Sequence, residues 1–248
     1  MGIGDTLKTA IVGSRLARRV AGAVIRNDVE FAREQFGPLL ERNRHFRDVD
    51  IPDGVHGFED LDFLFASNRL NQGIVLLTIK EAALLWRAAR RVTDGTIVEI
   101  GRFKGGSTIV AATAMGAGAQ LYSYDLHAKL TGLYDYPQLD QETRDTLERL
   151  GVNDRVHLIV GDSTTAEPPP GLVDLVFIDG DHSYEGARAD FDRWKEALAP
   201  GGTILFHDAN AGPLIGGDPN VARVVADAER EGWKRISVAD TIIEVRRL

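Results

Sequence analysis

The run Glu99-Ile100-Gly101-Arg102-Phe103-Lys104-Gly105-Gly106-Ser107 brings an acid, a glycine-rich turn and a hydroxyl together. Gly101 allows a tight turn and lets a ligand approach the backbone closely. Gly105 and Gly106 let a following helix begin near that turn, and the free N–H groups of a helix start attract a carboxylate. A dinucleotide-binding turn reads G-x-G-x-x-G. Phe103 stands at the second glycine position, which argues against a pyrophosphate ligand. Glu99 would also repel a pyrophosphate, yet it suits a ligand carrying an ammonium or sulfonium.

Other acids close short apolar runs: Asp125, Asp162 (followed by Ser163), Asp179 and Asp208. An acid in the place of Asp125 is set to take ribose hydroxyls. Asp162 and Ser163 are set to reach an adenine edge. Taken singly, each acid reads as well as a helix cap or a solvated loop residue. The functional reading rests on several of them converging on one face.

Asp179 opens Asp-Gly-Asp-His-Ser-Tyr, and Asp208 follows His207. At neighbouring strand ends the two aspartates come within reach of one cation, and oxygen ligands suit Mg²⁺. The alternative has no metal: Asp179 orders the cofactor and Asp208 caps a loop. His182 is the candidate general base, since an ordinary imidazole pKa of about 6.5 suits proton removal from a hydroxyl. It reads equally well as a residue that only orders the turn before a helix. His127 and His207 are rival bases.

These residues need a frame. Thr78-Ile79-Lys80-Glu81 has the pattern of a capping box, opening a helix to about Arg91. Strands are expected at 96–100, 120–125, 156–160, 173–179 and 202–208, with helices around 142–150, 185–198 and 221–231. Such alternation implies an α/β fold with a mostly parallel sheet and helices on both faces. Residues 234–238 and 241–247 are separated by two residues, too few for a crossover helix, so an antiparallel last strand is expected. Two loops after strand ends, 126–139 and 210–220, are candidates to shape an acceptor pocket. Glu167-Pro168-Pro169-Pro170 reads as a stiff connector.

The 248 residues suit one α/β domain plus an appendage, and 44% apolar residues suffice for a core. Residues 1–75 read as a helical extension (a cap, lid or oligomerisation arm) and 76–248 as the ligand-binding domain. Within the extension, residues 1–26 form a basic amphipathic pattern that packs on the protein or a partner, or less favourably lies on a membrane surface. A second amphipathic stretch covers 28–48. With no cysteine, disulfides and thiolate metal sites are excluded. The net charge of −8 argues against a nucleic-acid groove. No apolar run approaches a membrane span and no secretory signal is apparent, so a cytoplasmic protein is expected. Arginine outnumbers lysine, a hint of a GC-rich bacterial genome.

Taken together, VEIGRFKGGST, YSYDLH, VGDS, LVFIDGDHSYEGARADFDRW and APGGTILFHD resemble the class I S-adenosylmethionine-dependent methyltransferases. Within them the chain looks most like the bacterial small-molecule O-methyltransferases, including sugar methylators. The resemblance spans about residues 75–248 and implies a Rossmann-like, seven-stranded sheet. It implies that Glu99, Gly101, Phe103, Lys104, Gly105 and Ser107 line the methionine part of S-adenosylmethionine. Asp125 and Leu126 would then serve the ribose side, Asp162 and Ser163 the adenine, and Asp179 the reacting end. Metal-dependent relatives place an Asp after the fourth strand and an acidic or amide pair after the fifth. This chain departs from both known pairings, with His207 before Asp208 and Ala209 after it, so Asp179, His207 and Asp208 are the expected metal set. The implied reaction is O-methylation of a sugar or sugar-bearing small molecule, by a homo-oligomer. Two rivals stand: an aminopropyl-type transferase on the same fold, and a non-catalytic cofactor-binding scaffold.

Overall fold

The computed structural model describes residues 50–65, 73–127, 135–212 and 216–247. The basic segment 1–26, the stretch 28–48 and Tyr134 of the first loop lie outside the described residues.

Seven strands form one sheet: β1 (Thr96–Ile100), β2 (Gln120–Asp125), β3 (Val156–Val160), β4 (Val173–Ile178), β5 (Leu198–Phe206), β6 (Trp233–Ala239) and β7 (Ile242–Arg247). Their spatial order is β3-β2-β1-β4-β5-β7-β6. The pairs from β3 through β5 are parallel, and β7 runs antiparallel to both β5 and β6. The expected doubly wound sheet and closing hairpin are both present.

Among the described residues, five α-helices cover the sheet: α1 (Ile79–Ala89), α2 (Gly106–Ala114), α3 (Tyr136–Arg149), α4 (Tyr184–Lys195) and α5 (Pro219–Arg230). Side chains alternate across a strand, and this alternation builds two cores. Ile97, Leu121, Leu175, Phe177 and Leu205 pack with Leu85 of α1, Ile109 of α2 and Leu147 of α3. Val98, Tyr124, Val176, Ile178, Ile204 and Phe206 pack on the other face with Phe191 and Trp194 of α4 and Val224 of α5. A strand covered on both faces explains why all five residues of β1 are buried. Among the described residues, no helix is long and apolar enough to cross a membrane.

Several boundaries differ from the sequence expectation. Helix α3 starts at Tyr136 rather than near 142, because Asp135 caps it (its side chain accepts from Gln138 N) and Pro137 suits a first turn. Residues 136–139 of the expected pocket loop are therefore helical. Strand β5 starts at Leu198 rather than 202. The Ala199-Pro200-Gly201-Gly202 run looks like a turn, but the β4–β5 register shifts there, and a bulge tolerates Pro and Gly. At their other ends β4 stops at Ile178 and β5 at Phe206, so Asp179, His207 and Asp208 sit just past the strand ends.

Candidate active site

The strand order reverses beside β1: β2 lies on one side and β4 on the other. In open α/β sheets, ligands bind outside the carboxyl ends of strands at this switch point. The glycine turn occupies it. Gly101 has φ +88°, and a Cβ there would stand 2.0 Å from the Asp179 carbonyl oxygen. A bare Cα is what lets the turn after β1 lie against the segment after β4.

Asp125 holds the turn from the other side. One carboxylate oxygen accepts the backbone N–H of Arg102 at 2.9 Å and of Phe103 at 2.8 Å; the other accepts the N–H of His127 at 2.6 Å. Phe103 and His127 both have positive φ, 47° and 50°. Beside Asp125, Leu126 is 62% exposed, and Val160 at the end of β3 is 59% exposed.

Glu99 is enclosed. Its carboxylate accepts hydroxyl hydrogen bonds from Ser107, Thr108 and Ser123, each at 2.5 Å. Burial raises its pKa against the lowering effect of these donors and of Arg102. Lys104 is buried too, its Nζ donating to the Gly73 carbonyl at 3.0 Å, and burial lowers its pKa to about 8. Helix α2 begins after Gly105 (φ 78°) with no side-chain cap on its first turn. On the far side, Ser163 Oγ donates to Asp190 at 2.5 Å, and Asp162 accepts from the N–H and hydroxyl of Thr164.

Past β4 and β5 the predicted acceptor-side residues do meet. One ligand atom from each of Asp179, His182, His207 and Asp208 lies within 4.8 Å of every other. His207 Nδ1 is 2.9 Å from Asp179 Oδ1 and 3.3 Å from Asp208 Oδ2. Despite this proximity, Nδ1 is buried with no acceptor in line for a hydrogen bond. Burial opposes a charge on His207, but Asp179, Asp208 and Glu81 outweigh it and push its pKa up to about 12. His182 sits at the more exposed rim, Nε2 3.3 Å from Asp179 and Nδ1 3.5 Å from Asp208. The Asp179 hydrogen bond raises its pKa. His127, the other rival base, stacks on Tyr136 and approaches Asp140, away from this cluster.

A cleft of about 450 Å³ opens beside His207 and Asp208. Thr78, Glu81, Gly216, Gly217, Asp240 and Thr241 are among its walls.

Residues 98–209 match the family model described as a methyltransferase domain. Among curated proteins, the chain is 30% identical over 147 residues to a catechol O-methyltransferase of Mycobacterium tuberculosis, covering 58% of this chain and 61% of that one. It is 29% identical over 111 residues to a protein-L-isoaspartate O-methyltransferase of Pyrococcus abyssi, covering 44% and 49%. The chain thus spans less than two thirds of the length of these relatives. The O-methyltransferase TomG of Streptomyces achromogenes, solved with S-adenosylmethionine, superposes with a TM-score of 0.55 at 17% identity, over 80% of this chain and 91% of that one. The chain therefore shares the fold of that O-methyltransferase.

Two residues carry more of this site than their sequence context announces. Arg102 lies inside the turn, fully buried, and forks onto Asp140 of α3. A charged residue wedged beside Gly101 was the available signal; nothing in the spacing marks Asp140. Glu81 reads in sequence as half of a capping box, and it is that: Thr78 N donates to Oε2 at 2.8 Å. Its other oxygen accepts from the N–H and hydroxyl of Thr241, and Oε2 lies 3.7 Å from His207 Nε2. Burial alone would raise its pKa, but His207, Thr241 and Thr78 hold it at about 2.

Proposed function

We propose that this chain moves the methyl group of S-adenosylmethionine to a hydroxyl oxygen of a sugar or sugar-bearing small molecule, with a divalent cation at Asp179, His207 and Asp208. The observation that carries this reading is the shared wall between the two half-sites: Gly101 packs bare against Asp179. A cofactor on the turn and an acceptor at the cluster are thereby neighbours, and positioning of that kind supplies most of the rate in a direct transfer.

The cofactor side fits. The uncapped N–H groups of α2 suit the methionine carboxylate. Glu99 lies enclosed beside the turn with its oxygens taken by three hydroxyls, so it favours the cationic end through its field and not by contact. Asp125 faces the ribose side, and exposed Leu126 offers an apolar contact to a planar ring.

The cation side also fits. A buried Nδ1 close to two carboxylates, yet aligned with neither, is a donor set suited to a positive ion between them. When bound, such an ion lowers the pKa of a hydroxyl that it holds. His182, at the rim, takes the proton from that hydroxyl. Among the described residues, the cleft beyond Asp208 carries the hydroxyls of Thr78 and Thr241 and the carboxylates of Glu81 and Asp240 beside apolar Leu76, and these polar groups support an acceptor that bears hydroxyls.

The test is transfer of labelled methyl from S-adenosylmethionine to a panel of sugar-bearing acceptors, with and without EDTA. His182→Ala should lower turnover by about 100-fold, the lower end of general-base effects. No binding of S-adenosylhomocysteine would remove the whole reading. Full turnover in EDTA would remove the cation, and full turnover in His182→Ala would remove the base.

A further inference from the structure

The oxygen ligands that metal-dependent relatives supply suit Mg²⁺. The cluster at hand has a different chemistry. Its most enclosed member is an imidazole: the His207 side chain is 12% exposed, against 22% for Asp179, 25% for Asp208 and 38% for His182. Its Nδ1 points into the cluster and finds no aligned acceptor there. Its Nε2 points the other way, toward Glu81. That carboxylate is 2% exposed and anchored from three directions, by Thr78 N and by the N–H and hydroxyl of Thr241.

We propose that an ion at this cluster takes the place of the proton on His207 Nδ1, while Glu81, 3.7 Å from Nε2, keeps the remaining proton on that nitrogen, making this a site for a nitrogen-accepting divalent ion of the Co²⁺ and Zn²⁺ class in preference to Mg²⁺. Two physical rules carry it. Imidazole suits borderline transition metals, whereas Mg²⁺ prefers oxygen ligands and gives up water reluctantly. A ligating histidine commonly donates its second N–H to a carboxylate, which fixes the tautomer and ring orientation. Glu81 is a positioning residue here: it acts through His207 and touches no reacting atom. The capping box of α1 then has two tasks, starting the helix and orienting a ligand on the next layer.

This inference rests on the cation reading above, and its test separates the two. Chelator-stripped full-length protein is titrated with CoCl₂, ZnCl₂ and MgCl₂ by calorimetry, with S-adenosylhomocysteine binding measured in parallel. Co²⁺ and Zn²⁺ are expected to bind about 100-fold more tightly than Mg²⁺. In His207→Asp, which removes the enclosed nitrogen donor and leaves only His182 at the rim, that ratio should fall below about tenfold. Glu81→Gln should weaken Co²⁺ by about 10- to 100-fold and leave S-adenosylhomocysteine affinity unchanged. The Co²⁺-loaded protein should show a strongly shifted, exchangeable imidazole N–H proton resonance, absent from His207→Asp. Equal affinity for Mg²⁺ and Co²⁺ overturns the inference and leaves the cation reading standing. Persistence of the shifted resonance in His207→Asp overturns it by making His182 the ligand. No binding of any of the three ions overturns both, while S-adenosylhomocysteine binding still upholds the methyl-donor site.

Discussion

Arg102 reaches beneath the glycine turn and forks onto Asp140, Nε to Oδ1 at 2.9 Å and a terminal nitrogen to Oδ2 at 3.0 Å. A second terminal nitrogen donates to the Ser123 carbonyl at 2.6 Å. The turn, the end of β2 and the first half of α3 are therefore tied by one guanidinium whose side chain has no exposed surface. Bidentate geometry of this kind is specific to arginine.

Removing one partner of a buried ion pair strands the other, at a cost of about 3–5 kcal/mol. Asp140→Asn should lower stability by about that amount and weaken S-adenosylhomocysteine binding with it, because the turn loses its brace. Arg102→Met in the same chain should recover part of the stability, since no buried charge is then left alone. Urea unfolding of the single and double variants measures the coupling. Additive losses would mean that the pair is not coupled.

Gly101 should tolerate no side chain. Its φ of +88° already disfavours any L-residue, and a Cβ would meet the Asp179 carbonyl at 2.0 Å. That carbonyl belongs to a backbone whose own N–H is bonded to Ile100 O at 2.8 Å, so it has no easy way to retreat. Gly101→Ala should cost more than about 2 kcal/mol through strain alone. It should also lower S-adenosylhomocysteine affinity at least tenfold, since the turn and β4 must part (a rough figure from about 1.4 kcal/mol of lost contact). Calorimetry below the melting transition of the variant checks this, and wild-type affinity would contradict it.

The sheet and the strand-end acids were readable because both signals are local. A short strand rich in β-branched residues and covered on both faces, as in β1, has a distinctive pattern, and an acid at or just past the end of such a strand lies near the ligand edge. What escaped was set by pairing across the chain. Arg102 and Asp140 are joined only by the packing of α3 beside the turn. Glu81 had a complete local explanation in the capping box, which hid its approach to His207. Asp125 was expected to face the ribose; its simultaneous grip on the Arg102 and Phe103 N–H groups depends on the positive φ at 103, which no spacing announces. The early start of β5 was masked by Pro200 and Gly201, residues that signal a turn unless a bulge absorbs them.

Asp190 offers a pH dependence with a definite sign. It lies on α4, 3% exposed, and burial pushes its carboxyl from 3.8 up to about 6 even though the Ser163 hydroxyl stabilises the charge; Asp162 and Asp181 add to the rise. The folded state thus keeps a proton that the unfolded chain has already released between about pH 4 and pH 6. Where the native state binds more protons, stability falls as pH rises, so the contribution is present below about pH 4 and is lost by about pH 6. Above that window the ionised group carries a constant penalty of about 3 kcal/mol at most, by the conversion of pKa into free energy. Asp190→Asn removes the titration and retains an acceptor for Ser163. Relative to wild type, the variant should gain stability steadily from pH 4 to pH 6 in urea unfolding, then hold a fixed lead. Parallel curves for the two proteins across that window would show that Asp190 is ionised in the folded state throughout, and that Ser163 and the solvent at its rim outweigh its burial.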